Sequence, residues 1–257
     1  MVIHLKNATP DDVGELTILA GDPDRIQLIA SLFKHPKVIV ENREFTLISG
    51  FWNGKKVSAC STGIGVGSTE IACIELIQLG VKCMVRVGGC GSWSPDIRQG
   101  SIIINHAMAR EPGTLSSYVF DSFPAVADPI LVTSMRRELK QSNFTIYTGV
   151  GLTSQSYYLG QERSPNINGP ELEDIRSYWT KRGILNCDME TAIVYLLASI
   201  YGIHAANCLV VHGHRMTDEW VPDKQYQQIH LEVAKQVINS CFNALNEIYY
   251  LQQTVID

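Results

Sequence analysis

With 257 residues, 45% of them apolar and 18% charged, the chain has the composition of a globular protein with a sizeable core and the length of one or two domains. A net charge of −5 without any basic cluster argues against a nucleic-acid surface, and no apolar run reaches the ~18 residues of a membrane span. Seven cysteines, odd in number, lacking any Cys-x-x-Cys pair and mostly set in apolar runs, favour buried thiols over disulfides or zinc.

No linker, charge block or composition shift divides the chain, so residues 1–257 are read as one domain. Met1–Lys6 lacks the apolar h-region of a signal peptide, and a cytoplasmic location is expected. Leu16–Ala20 predicts a strand. Gly21 follows it, then Asp22 as a helix N-cap, Pro23 at the first helical position and an apolar rhythm through Ile26, Ile29 and Phe33. Arg25 falls in that first turn, where a helix N-terminus already favours anions. Strands are expected near 38–40 and 45–51, with Arg43 between them; taken alone, Arg43 reads as a solvated loop charge. Asn53-Gly54 signals a hairpin into Lys56–Ser61. A glycine loop at 63–67 then leads through Ser68 into a helix to Leu79. Its spacing is not the dinucleotide G-x-G-x-x-G, and a Rossmann-type cofactor is not expected.

Val85–Ser92 places Arg86 in an apolar strand, expected over 83–87, that opens into a glycine-rich turn. Arginine is seldom buried without an anionic partner, and such a turn exposes backbone N–H groups that can line an anion-binding concavity. The pair predicts a small anion at a strand's carboxyl end, although an internal Asp or Glu could equally be the partner. Further strands are expected near 101–106, 145–152 and 205–212, and helices near 129–141, 170–182, 189–200 and 224–250. The last carries an apolar stripe from Ile229 to Ile248. Alternating strands and helices predict an α/β fold, a three-layer sandwich with a central mixed sheet flanked by helices.

Taken jointly, Ala20-Gly-Asp-Pro-Asp-Arg25, Asn42-Arg-Glu-Phe45, Ser61-Thr-Gly-Ile-Gly65, Val85-Arg-Val-Gly88, Phe123-Pro-Ala-Val-Ala-Asp128, Gly160-Gln-Glu-Arg163 and Asp188-Met-Glu190 resemble the signatures of nucleoside phosphorylases of the uridine and hexameric purine type. The resemblance spans nearly the whole chain. It implies inorganic phosphate as co-substrate and no cofactor. Phosphate would be held by Gly21, Arg25, Arg86, the Gly89 position and, across a subunit interface, Arg43. It further implies a homo-oligomer with shared sites, dimer or hexamer, in which His4 of a neighbour reaches the ribose 5′-hydroxyl. Asp188, Met189 and Glu190 correspond to the ribose element, Glu190 accepting from the 2′- and 3′-hydroxyls. In some relatives a monovalent cation such as K+ sits between subunits, which would fall here at Glu44 and Ser68.

Two residues of an extended loop spaced two apart project alike, so Gln161 and Arg163 can meet one planar ligand. A glutamine amide and an arginine fork complement the carbonyls and N3–H of uracil. Within the family a Gln-x-Arg pair marks uridine phosphorylases, Arg215 matches an arginine behind that glutamine, and Tyr157 or Tyr158 is expected to stack on the base. Uridine phosphorolysis is therefore the leading expectation, with Arg86, Arg163 and Glu190 carrying the chemistry and deoxyuridine or thymidine as open substrates. A purine enzyme using His212 or His214 as its acid is the alternative, and a nucleoside-binding protein without turnover is the alternative from another class. The family normally has Thr or Ser where Gly89 stands. Loss of that hydroxyl costs about 1–3 kcal/mol, so Gly89→Thr is expected to tighten phosphate binding unless the loop has re-formed, when it would clash. Cys90 or Ser92 could compensate. Cys90 is not expected to be a nucleophile, since the reaction needs no covalent intermediate.

Overall fold

The computed structural model describes residues 2–254. Its strands are β1 (Leu16–Ala20), β2 (Lys34–Asn42), β3 (Phe45–Trp52), β4 (Lys55–Ser61), β5 (Cys83–Ser92), β6 (Ile102–Arg110), β7 (Ala125–Val126), β8 (Ile146–Thr153), β9 (Ile184–Asp188), β10 (His204–His214) and β11 (Glu219–Trp220). The helices are α1 (Pro23–Ala30), α2 (Val66–Gln78), α3 (Pro129–Leu139), α4 (Ile175–Thr180), α5 (Thr191–Tyr201) and α6 (Asp223–Thr254).

Local chemistry explains several boundaries. The Asp22 carboxylate accepts from the Asp24 N–H at 2.9 Å and Pro23 opens α1. Asn53 and Gly54 take φ of +48° and +81° between the paired ends Trp52 and Lys55, the left-handed geometry that a tight hairpin demands. The helix expected over 170–182 is shorter. Asp174 caps it, accepting from the Ser177 N–H at 3.1 Å, and the residues before it stay irregular. Gly183, at φ +82°, then turns the chain into β9, a strand whose short mixed run Ile-Leu-Asn-Cys-Asp carries no clear period.

The mixed sheet runs β11-β10-β6-β8-β9-β5-β1-β4-β3-β2. A further pairing of β10 with β5 closes β5, β10, β6, β8 and β9 into a ring, while β1 to β2 extend from it as an open wing. Helices pack as two groups, α2 with α5 and α1 and α3 with α6. The central strands β1 and β5 are buried along almost their whole length, as expected when both faces of a sheet are covered. All seven cysteines are buried free thiols. No described helix is long and apolar enough to cross a membrane.

Candidate active site

Three chain segments meet where β5 leaves the core. The glycine turn expected at 88–91 is instead strand, because Gly88 to Gly91 pair in parallel with Leu209 to Gly213 of β10. The glycines clear space for side chains. A Cβ at position 88 would stand 2.7 Å from the Arg86 Cζ, and one at position 91 would stand 3.1 Å from the Arg215 Cγ. One at position 89 would overlap the Tyr226 hydroxyl oxygen. That finding corrects the expectation for Gly89→Thr, since the added side chain has no room.

Arg86 is almost fully buried, and its anionic partners are internal. Its Nε donates to Asp188 Oδ2 at 3.2 Å, and its Nη2 pairs with the Glu190 carboxylate. Burial works against the Arg86 charge, but Glu190 and Asp188 outweigh it and hold its pKa above the ordinary value. Its Nη1 remains a buried donor without a partner among the described residues. Such a donor costs about 1–3 kcal/mol until something accepts from it.

The Asp188 oxygens also accept from Thr153 Oγ1 at 2.8 Å and Thr191 Oγ1 at 2.5 Å. Asp188 thus anchors Arg86 while also lining the cavity. Glu190 has fewer internal partners. Its Oε1 accepts from the Gly65 N–H at 2.8 Å, made possible by the left-handed turn at Gly65, and the residue borders the open cavity. Burial, with Asp188 adding to it and Arg86 opposing, raises the Glu190 pKa above the usual carboxylate range.

The cavity measures about 530 Å³. Gly21, Arg25, Arg86, Gly89, Tyr157, Gln161, Arg163, Asp188, Met189 and Glu190 all line it. Another cavity, of about 680 Å³ along Ser116–Pro124, carries no arginine, histidine or carboxylate. Gln161 and Arg163 do share one ligand space, but the loop is not extended. Leu159–Gln161 form a 3₁₀ turn, Glu162 takes φ +54°, and the Arg163 N–H returns to the Tyr158 carbonyl at 2.8 Å. The Arg163 guanidinium lies 4.4 Å from the Tyr157 ring centroid and 5.4 Å from that of Trp220, with Nε buried and unpartnered among the described residues. Of the two tyrosines expected at the base, Tyr157 lines the cavity and Tyr158 does not.

Arg215 stands behind this loop, donating from Nη2 to the Glu162 carbonyl at 3.3 Å. Burial, then the neighbouring Arg163, lowers its pKa. His212 lines the cavity, stacked 3.9 Å from the Tyr226 ring, and burial lowers its pKa below the ordinary histidine value. His214 is buried outside the cavity, with Nδ1 at 2.8 Å from Thr217 Oγ1. Burial also raises the Cys90 pKa, so it remains a thiol, a poor nucleophile.

Four expected residues lie away from their own chain's cavity. The His4 ring meets Glu75 at 3.0 Å and the edge of Phe45 at 5.6 Å, and its carbonyl accepts from Asn42 Nδ2 at 2.9 Å. Arg43, at φ +56°, forms the β2–β3 turn beside that contact. Glu44 and Ser68 close on Gly63 from two sides, and Ser68 Oγ donates to the Thr62 carbonyl at 2.6 Å. Sequence reasoning missed Trp220, Tyr226, Arg176 and Glu75. Only Tyr226 had a usable signal, since it extends the α6 apolar stripe one turn before Ile229.

A family model described as the phosphorylase superfamily matches residues 15–248. Among curated proteins, the uridine phosphorylase of Thermococcus kodakarensis is 35% identical over 218 residues, covering 82% of this chain and 77% of its own. That of Escherichia coli is 34% identical over 228 residues, covering 87% and 90%. Among solved structures, a uridine phosphorylase from Vibrio fischeri superimposes with a TM-score of 0.83 at 27% identity, covering 93% of this chain and 96% of that one.

Proposed function

Because the chain belongs to the phosphorylase superfamily, we propose that its cavity carries out the reversible phosphorolysis of uridine to uracil and ribose 1-phosphate. The observation that carries this reading is that Arg25 and Arg86, the Glu190 carboxylate and the Gln161/Arg163 pair line one cavity. Those three kinds of group match the three parts of the reaction, namely phosphate, sugar and departing base.

Phosphorolysis breaks the glycosidic bond through a cationic sugar while phosphate attacks the opposite face. Arg25 and Arg86 bind and orient phosphate, each charge-assisted hydrogen bond being worth about 1.5–3 kcal/mol. Asp188 acts through Arg86 as a positioning residue. Glu190 accepts from the ribose hydroxyls and faces the positive charge developing on the sugar, with Met189 packed against the ring. Gln161 reads the uracil edge. Arg163 stabilises the negative charge that the base carries away, where a preorganised donor counts most. The neighbouring Arg215 adds to the positive field there.

His212 is the one residue of the purine alternative that lines the cavity, but burial lowers its pKa, which disfavours the imidazolium that would serve as the acid. The remaining details belong to the same reading. One domain spans the chain, deoxyuridine and thymidine are candidate further substrates, and free buried thiols support a cytoplasmic location. Arg43 and His4 of a second copy complete the phosphate and ribose ends, and Glu44 and Ser68 are candidate ligands for K+ between copies.

Release of base from uridine and from inosine, each with and without phosphate, tests the reading. Uridine is expected to be cleaved only with phosphate, and faster than inosine. Free ribose without phosphate would exclude phosphorolysis, faster inosine cleavage would reassign the base, and no cleavage of either would leave a binding protein.

A further inference from the structure

We propose that the Tyr226 hydroxyl is a phosphate ligand of this site, supplied from α6 to the place above Gly89. The proposal rests on the phosphorolysis reading for the identity of the anion. Its geometric basis is separate. Tyr226 borders the same cavity as Arg25, Arg86 and Gly89. The Arg25 guanidinium lies 5.2 Å from the Tyr226 ring centroid, so the tyrosine stands beside an arginine expected to hold the anion. The hydroxyl occupies the volume that a side chain at position 89 would fill. Among the described residues, no side-chain hydrogen bond engages the phenol, whose residue is only 7% exposed; its backbone N–H is satisfied by the Pro222 carbonyl.

The ring is also held. His212 stacks on it at 3.9 Å and 14°, and His230 meets it edge-on at 4.4 Å. A clamped ring delivers its hydroxyl to one place with little conformational freedom left to lose on binding. Burial pushes the Tyr226 pKa up to about 12, so the phenol keeps its proton and donates across the neutral range. Burial likewise keeps His212 and His230 below the ordinary histidine value, and neither competes for the anion as a cation near neutral pH. Gly89 and Tyr226 thus form a matched pair. A side chain at 89 and the hydroxyl of 226 exclude each other, and the glycine is what admits the tyrosine.

The test compares wild type with Tyr226→Phe, Gly89→Thr and the double variant Gly89→Thr/Tyr226→Leu. Two readouts are used: the KM for phosphate in uridine cleavage, and the shift of the thermal unfolding midpoint by inorganic phosphate alone. Tyr226→Phe keeps the stacked ring and should fold. Its phosphate KM should rise about tenfold to a hundredfold, the range of one hydrogen bond to a charged group, with the uridine KM little changed. Gly89→Thr alone should weaken phosphate binding. The double variant, with space for the threonine hydroxyl, should recover most of the loss. An unchanged phosphate KM and midpoint shift in Tyr226→Phe would overturn the proposal. If wild type does not cleave uridine yet phosphate stabilises it and Tyr226→Phe loses that stabilisation, the proposal stands and the phosphorolysis reading falls.

Discussion

Arg163 shows how a single side chain can be both positioned and left wanting. Tyr157 and Trp220 fix its guanidinium between two aromatic faces, yet its Nε has no partner among the described residues. Leaving a buried donor unpaired is unfavourable in the free protein and becomes favourable when a ligand accepts from it, most strongly when that ligand carries charge. The charge on uracil appears only as the glycosidic bond breaks. Replacing Arg163 by Ala is therefore expected to lower kcat about tenfold to a hundredfold, beyond any change in the uridine KM. Gln161→Ala should act differently, because a neutral amide reads the ground-state base as well as the leaving one. It should chiefly narrow the preference for uridine over inosine, measured as the ratio of kcat/KM values. An Arg163→Ala enzyme with unchanged kcat would shift the burden of charge stabilisation to Arg215.

At the scale of elements, the loop carrying Gln161 and Arg163 is held by a crossing of three charged side chains. The Glu162 carboxylate accepts from the Arg176 N–H at 2.9 Å and from its Nη2 at 3.1 Å. Arg176 Nη1 donates to the Arg215 carbonyl at 2.6 Å, and Arg215 in turn donates to the Glu162 carbonyl. The 3₁₀ turn before Glu162, the start of α4 and the end of β10 are tied at one point. This explains why Glu162 can hold its left-handed backbone and why Gln161 and Arg163 face one cavity without an extended loop. Arg176→Ala removes the fork and should raise the uridine KM roughly tenfold, in line with the loss of about one or two hydrogen bonds, while leaving the phosphate KM near wild type. Arg176→Lys should recover only part, since an ammonium lacks the planar fork. Equal changes in both KM values would mean that the site as a whole had loosened.

Over the whole molecule, His4 and Arg43 do not line their own chain's cavity but sit near each other. Glu75 accepts from the backbone N–H groups of His4 and Leu5, at 2.9 and 2.6 Å for its nearer oxygens, and so fastens the N-terminal segment to α2. Asn42 then ties His4 to the hairpin that carries Arg43. An isologous pairing of two copies, in which this patch meets the other copy's cavity, gives both residues a use. Chains with Arg43→Ala and chains with Glu190→Ala should each be nearly inactive. Mixed in equal amounts and allowed to exchange, they should recover about a quarter of wild-type activity, because half the dimers are hybrids and one of their two sites is intact. Activity no greater than that of the separate variants would place Arg43 outside the neighbour's site.

Local rules made much of this chain legible. The cap at Asp22, the Asn53-Gly54 hairpin and the α6 stripe act over a few residues, and the sequence alone determined them; it also singled out Arg25, Arg86, Gln161, Arg163 and Glu190, which line one cavity. Tertiary structure decided what those residues touch. Pairing with β10 turned the expected glycine turn into strand, and it was packing from α6 that set a tyrosine over Gly89 where a threonine had been expected to fit. Asp188 became the anchor of Arg86, 102 residues away in sequence, through a contact that no local pattern records. The physical reason is range: capping, periodicity and turn chemistry depend on neighbours along the chain, whereas the occupant of the space above a glycine and the partner of a buried charge depend on which distant segments the sheet brings together.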